Sequence, residues 1–301
     1  MVEVKQEDFR CGYVTIIGRP NVGKSTLLNR LLGQKISITS NKPQTTRWHL
    51  TGIETGDDYQ AIYIDTPGLQ DKYKNAMNRH MTREVMNSLS YVDVLILMIE
   101  SLQWKDMDRQ ILKLIADIKV PVILAINKID KIKNREQLLP FIESISAKWD
   151  FSAVLPVSAR KDKNINELKK IVNSLLPVSP PLFPDEQLTD RNERFFAAEF
   201  IREKLTRKLG DELPYRISVT IEQFVLKENI LHIHALVWVE GNSQKSIVIG
   251  HNGHILKSVG EQARKDMENM FGHKVFLQTW VKVMKNWTDD IKALKQFGYG
   301  R

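Results

Sequence analysis

Hydrophobic positions split the chain into two halves with different grammars. In the first, short runs that are apolar at nearly every position recur at residues 13–17, 92–99, 120–126 and 153–157. Between and after them, apolar residues return at helical spacing over 24–32, 105–118 and 164–176. Strands apolar on both faces, alternating with helices, predict a mostly parallel sheet covered on both sides. Residues 48–55 and 59–64 instead alternate apolar and polar and are joined by Gly56-Asp57-Asp58, which predicts a hairpin.

This pattern stops at Leu176-Pro177-Val178-Ser179-Pro180-Pro181-Leu182-Phe183-Pro184. Proline cannot continue a helix or a central strand, so the stretch reads as a semi-rigid connector and a domain boundary. We expect domains at 1–176 and 191–301 with a Pro-rich connector at 177–190. In the second domain the pattern predicts a helix over 192–209 and strands over 215–225 and 230–240. Two short helices follow, meeting at Gly250, the second over 255–270, then a strand over 274–283. In the second of the paired strands Leu231, Ile233, Ala235, Val237 and Val239 share one face, and His232, His234 and Trp238 the other. With no third ligand nearby, the two histidines read as a solvated sheet face rather than a metal site.

Length and composition agree with two domains. The 301 residues exceed the usual size of one core, and contents of 42% hydrophobic and 27% charged residues are ordinary for a globular protein. Cys11 is the sole cysteine, which excludes an intrachain disulfide and suits the cytosol. The first ten residues lack a signal-peptide apolar stretch, and no run approaches the ~20 residues of a membrane span. The net charge of +8 is uneven: residues 241–301 hold ten basic and five acidic side chains. Such a segment suits a polyanion, although a merely solvated surface has the same composition. A basic surface also suits anionic lipid, as in peripheral association with the inner face of the cell membrane. The mixed charges of 287–297 speak against that reading. We expect a cytoplasmic monomer.

Candidate chemistry begins at Gly18-Arg19-Pro20-Asn21-Val22-Gly23-Lys24-Ser25, which fits G-x-x-x-x-G-K-[ST] between a predicted strand and helix. In this motif successive backbone N–H groups curl around a β-phosphate, here through Asn21, Val22, Gly23 and on to Thr26. Lys24 supplies charge for the β- and γ-phosphates, and the Ser25 hydroxyl is placed for Mg²⁺. The polar stretch Ser40-Asn41-Lys42-Pro43-Gln44-Thr45-Thr46-Arg47 reads as a loop able to close on Mg²⁺ and a γ-phosphate. Thr46 is the first candidate and Thr45 the second. Asp65-Thr66-Pro67-Gly68 ends a strand, so Asp65 can hold Mg²⁺ through water and the Gly68 N–H can meet a γ-phosphate. Asn127-Lys128-Ile129-Asp130 ends another strand. A carboxylate at Asp130 accepts from guanine N1–H and its exocyclic amine, whereas adenine leaves that charge unpaired. Asn127 would brace the loop and the Lys128 stem would lie along the base. The backbone of Ser158-Ala159-Arg160 is placed to meet guanine O6. We assign the hydrolytic chemistry to Lys24, Thr46 and Gly68, with Asn21 added by the resemblance below.

The motif order resembles the translation-factor-like small GTPases. Gly-Arg-Pro-Asn, Gln-Thr-Thr-Arg and Asp-Thr-Pro-Gly-Leu resemble the branch lacking the glutamine that orients the attacking water; Leu69 stands at that position. The resemblance implies that a K⁺ ion at Asn21 stands in for an arginine finger and that hydrolysis is slow and K⁺-stimulated. Negligible turnover, with the chain acting as a nucleotide-regulated RNA chaperone or scaffold, is the alternative.

In the second half, helix–strand–strand–helix–helix–strand around Ile249-Gly250-His251-Asn252-Gly253 resembles a type II KH domain, an RNA-binding module. In such a loop the backbone packs on the sugar-phosphate chain and an adjacent apolar groove, here Ile247, Val248 and Ile249, receives bases. His254, Lys245, Lys257, Arg264, Lys282 and Lys285 lie in or around it and suit phosphates. Trp280 offers a stacking face, though its place in a strand favours packing. The whole chain, with its 287–299 segment, resembles a bacterial family of ribosome-assembly GTPases. That implies recognition of the 3′ end of the small-subunit ribosomal RNA, on the 30S subunit, coupled to GTP with Mg²⁺.

Overall fold

A computed structural model describes residues 8–42, 45–68, 76–210 and 213–299. The chain forms two compact units. The first comprises Met1–Ser37, Thr46–Lys72 and Met81–Asp190, the second Ile38–Thr45, Tyr73–His80 and Arg191–Arg301.

The first unit is built on a six-stranded sheet in the order β2-β3-β1-β4-β5-β6. The strands are β1 (Arg10–Ile17), β2 (Leu50–Thr55), β3 (Tyr59–Asp65), β4 (Val94–Glu100), β5 (Val122–Asn127) and β6 (Ala153–Pro156). All neighbours pair in parallel except β2 and β3, the predicted hairpin. The apolar runs bury both faces: every residue from Val94 to Ile99 is inaccessible to solvent. Helices α1 (Lys24–Leu31), α3 (Asp106–Leu114) and α5 (Ile165–Leu175) arise where helical spacing predicted them. Two further helices, α2 (Ala76–Leu89) and α4 (Leu138–Ser146), were not predicted. In α2 the buried residues Met77, Met81 and Val85 recur every four positions, but the polar residues between them dilute the signal.

The Pro-rich stretch is not a free connector. Cys11 N–H donates to Pro177 O and Ser179 N–H to Phe9 O, and Ile53 N–H donates to Leu188 O at the edge strand β2. Buried Gln60 fastens it: its Oε1 accepts from Leu182 and Phe183 N–H at 2.8 and 2.9 Å, and its Nε2 donates to Phe183 O. Proline suits an edge because it has no N–H to offer a ladder. By compactness the first unit runs on past the expected boundary at 177 to Asp190.

The second unit contains α6 (Glu193–Lys208), β7 (Ser218–Lys227), β8 (Ile230–Val239), α7 (Asn242–Ile249), α8 (His254–Phe271), β9 (Lys274–Val283) and α9 (Ile291–Gln296). β8 is central, antiparallel to β7 and parallel to β9. Leu231, Ile233, Ala235, Val237 and Val239 are buried, as alternation predicted, in a core shared by Phe200 and Leu205 of α6 and Val259 and Ala263 of α8. On the opposite face His232 packs on Phe276 and His234 on Trp280. Among the described residues no cluster of three or more metal-ligating side chains exists, and no helix is long and apolar enough to cross a membrane.

Replacing Gln60 by Leu would strand two N–H groups and one carbonyl. We expect a loss of about 2–4 kcal/mol, read as a lower urea midpoint with the slope unchanged.

Candidate functional site

Four nucleotide motifs sit at the carboxyl ends of strands paired in parallel, while the Thr46 loop leads into the amino end of β2. The phosphate loop leaves β1 in the middle of the sheet, Asp65 closes β3, Asn127 closes β5, and Ser158 follows β6. The loop conformation needs its residue types. Gly23 has φ +112°, and a Cβ there would stand 2.4 Å from Asn127 Nδ2. Asn21 adopts left-handed φ 63°, which asparagine tolerates better than most residues. Asn127 braces two motifs at once, donating to Val22 O at 2.8 Å and accepting from Ala159 N–H at 3.0 Å.

The Lys24 ammonium is buried and donates to Gly18 O and Arg19 O at 2.9 and 3.0 Å. Burial lowers its pKa to about 8, partly opposed by the Asp65 charge. Asp65 is itself fully buried, and burial raises its carboxyl above the ordinary value against the pull of Lys24. Its Oδ2 accepts from Ser37 Oγ at 2.8 Å and from Thr46 Oγ1 at 3.5 Å, and Thr46 Oγ1 lies 2.7 Å from Ser25 Oγ. Its Oδ1 has no hydrogen-bond partner. Two hydroxyls and an orphaned carboxylate oxygen are the hard oxygen donors that suit a divalent cation holding waters. At Gly68 a Cβ would meet Pro20 at 3.0 Å, so glycine eases the close approach of this backbone to the phosphate loop.

The two threonine candidates separate. Thr46 joins Ser25 and Asp65, whereas the Thr45 hydroxyl bonds Ser40 and Lys42 O. At the base side, Asp130 Oδ1 accepts from Ser158 Oγ at 2.6 Å and the Lys128 ammonium pairs with Glu100 at 2.8 Å. Arg30 donates to the carbonyls of Ala159 and Arg160, fixing the turn that carries them. Thr26 lies in the first turn of α1, partly buried. Leu69 lies outside the described residues. Pattern reading missed Ser37 and Glu100, which no local motif marks. It also missed the buried Arg19–Asp108 ion pair of 2.8 Å that ties the phosphate loop to α3; an acid in a first helical turn reads only as a helix-end charge.

In the second unit Gly250 (φ +75°) and Gly253 (φ +76°) flank a single 3₁₀ turn between α7 and α8. A Cβ on Gly250 would stand 2.7 Å from Ile255, while around Gly253 nothing lies within 4 Å, so backbone is open to a ligand there. His251, Asn252, His254 and Lys257 are exposed, and Ile247 is 52% exposed beside partly buried Ile249 and Lys245. Val248 is a correction: it is wholly buried and supports the groove from beneath rather than lining it. Lys282 is exposed, 3.8 Å from Glu222 and over the Trp238 ring. Trp280 is 44% exposed, so the packing favoured for it amounts to one edge against His234.

Fold and site together define a P-loop GTPase with a type II KH domain. A family model described as 50S ribosome-binding GTPase matches residues 13–128, and one described as KH domain matches 212–288. GTPase Era of Marinobacter nauticus is 51% identical over 289 residues, covering 96% of this chain and 95% of that protein. A solved structure of Era in complex with MgGDPNP and nucleotides 1506-1542 of 16S ribosomal RNA matches with TM-score 0.94 and 38% identity, over 97% of this chain and 100% of that one. An Aquifex aeolicus Era variant bound to GDP.AlF4- matches with the same TM-score, identity and coverage. This chain belongs to the GTPase Era family, and it is a GTPase.

The lowered Lys24 pKa carries a pH signature. Phosphate favours the charged form, so above pH 8 binding must take up a proton and affinity falls. From pH 7 to 9 GDP affinity should drop about tenfold, measured by titration, and Lys24→Met should retain only the nucleotide's own titration. The stability sign is set by the folded pKa lying below the unfolded 10.5. The cost of burying this charge is full below pH 8 and is relieved as pH rises toward 10.5.

Proposed function

We propose that this protein is a GTP-driven switch that binds the 3′ end of the small-subunit ribosomal RNA and acts in assembly of the 30S subunit. The observation that carries the reading is the open Gly250–Gly253 backbone turn, in the same chain as a phosphate loop facing an orphaned Asp65 oxygen. The RNA bound by the matching Era structure, at 38% identity over nearly the full chain, supports it.

In this reading Ser25, Thr46 and Asp65 hold Mg²⁺. The backbone from Asn21 to Thr26, with Lys24 and the Gly68 N–H, holds the phosphates. Asp130, Asn127, Lys128 and the turn Ser158-Ala159-Arg160 select and seat guanine. Bound Mg²⁺ neutralises charge on the β- and γ-phosphates. Asn21 holds K⁺, taking the place of the missing arginine finger. The RNA lies on Gly250, His251, Asn252 and Gly253, with bases against Ile247 and Ile249 and phosphates met by Lys245, Lys257, Lys282 and His254. Residues 1–176 serve as the GTPase domain, 177–190 as the connector and 191–301 as the KH domain of a cytoplasmic monomer.

Phosphate release should be faster in K⁺ than in Na⁺ buffer, and Asn21→Ala should remove the difference; equal rates for the wild type would exclude the K⁺ role. Affinity for a 16S 3′-end RNA should be higher with a non-hydrolysable GTP analogue than with GDP, and equal affinities would leave the switch without support. Its logarithm should fall linearly with log salt, and Lys257→Ala should flatten that slope by about 0.7.

A further inference from the structure

Between α3 and the segment that follows α4, the first unit has a cavity of about 380 Å³ whose lining residues take no part in the nucleotide site. Its wall is almost wholly apolar, formed by the Trp104 and Trp149 rings with Leu112 and Ala116. Trp104, Leu112 and Trp149 pack against the buried cluster that includes Ile111, Ile115 and Ile145, so the core holds the floor in place. Three cations stand around it: Arg109 and Lys113, one turn apart on α3, and Lys148. All three are exposed, and among the described residues no acidic side chain lines the cavity. Arg109 also pairs with exposed Asp106, a surface contact of the kind that contributes little. Lys113 and Lys148 have no ion pair among the described residues.

The volume is more than twice the ~150 Å³ that holds a benzene molecule, so one or two large side chains fit and a folded element does not. A small polar molecule finds no hydrogen-bonding groups in the wall to orient it, and a nucleobase buried there loses the partners of its ring edges. Trp104 Nε1 is buried with no hydrogen-bond partner, although a buried tryptophan N–H usually has one. This wall is therefore left incomplete by the chain's own packing. Tryptophans that meet a lipid surface project into it, whereas both of these are recessed and partly buried. A second copy of a chain with net charge +8 would set its own basic surface against this rim. What fits is an apolar anchor arriving with acids on either side of it.

We propose that this cavity docks an acidic peptide segment of a partner protein. One aromatic or leucine side chain enters against Trp104 and Trp149, and the aspartates or glutamates beside it meet Arg109, Lys113 and Lys148. Burial of the anchor supplies affinity, and the cations supply orientation and rate of encounter. The peptide backbone also brings a carbonyl acceptor for the Trp104 N–H on a small turn of the ring, which a lipid tail does not. The site lies within the first unit and is independent of the RNA and metal readings.

The test uses the full chain as the target for a displayed library of short random peptides. Selection should enrich sequences with one aromatic or leucine residue flanked by acids. Their synthetic forms should bind about tenfold tighter than the same peptides with the anchor changed to serine, and should bind more weakly as salt rises. Ala116→Glu sets an acid at the wall from an exposed position, and Lys113→Glu reverses one charge of the rim. Each should weaken peptide binding about tenfold, while GTP hydrolysis at the wild-type rate shows that the variant is folded. If one variant loses hydrolysis, the other and the serine-substituted peptides decide. A selection without acidic enrichment overturns the proposal, as does equal binding of the serine-substituted peptides. Peptides that bind both variants as tightly as the wild type also overturn it, since they sit elsewhere on a basic protein. Phosphatidylserine–phosphatidylcholine vesicles, an oligouridylate and self-association are measured alongside. If the two substitutions abolish one of these and leave peptide binding intact, the cavity belongs to that occupant and the proposal falls.

Discussion

A fully buried carboxylate with one unpartnered oxygen is the constraint on which the nucleotide unit turns. Asp65 ends β3 between antiparallel β2 and parallel β1, where no water can compensate its charge. Lys24 supplies the opposite charge, and Ser37 and Thr46 supply hydroxyl donors, but Oδ1 stays bare. The corner is therefore incomplete as protein alone. Lys24 shows the strain from the other side: its ammonium is held by two backbone carbonyls and Asp65 only partly offsets the burial that lowers its pKa to about 8. In the proposed reading a phosphate with its metal would supply an anion to Lys24 and a cation to Asp65 in one event, relieving burial costs already incurred in folding.

The second unit solves an analogous problem differently. Its ions are satisfied internally, in a chain running from Thr39 through Glu203 and Lys204 to Asp266. Such a chain has few acceptable geometries, because moving any member leaves another ion buried and unpaired. Apolar packing tolerates small slides; a buried ion chain does not.

Elements whose residues face one environment along their length are legible in the amino-acid order alone. The apolar runs of β1, β4 and β5, the alternation of β8 and the helical spacing of α3 and α5 each carry a period that a single face enforces. α2 and α4 are not legible in this way, since their burial comes from what packs on them. The Pro-rich stretch reads as a spacer because proline excludes helix and central strand; that it lies along the sheet edge depends on Gln60, about 120 residues earlier. At the nucleotide corner the motif residues stand out because phosphate, metal and guanine each demand particular groups at fixed spacing. Ser37, Glu100 and Asp108 do not, since their roles come only from the partner each happens to meet. Val248 was misassigned for the same reason: apolar neighbours in sequence take opposite sides of a helix.

Local chemistry thus determined which ligand groups this chain can satisfy and in which order its strands and helices follow. It also left one question that only packing answered, which of two adjacent threonines turns toward Ser25 and Asp65. Thr45 and Thr46 are chemically identical, and consecutive side chains in an extended loop point in opposite directions, so one had to face away. Thr46 Oγ1 lies 2.7 Å from Ser25 Oγ, a contact between residues 21 positions apart that no local pattern contains.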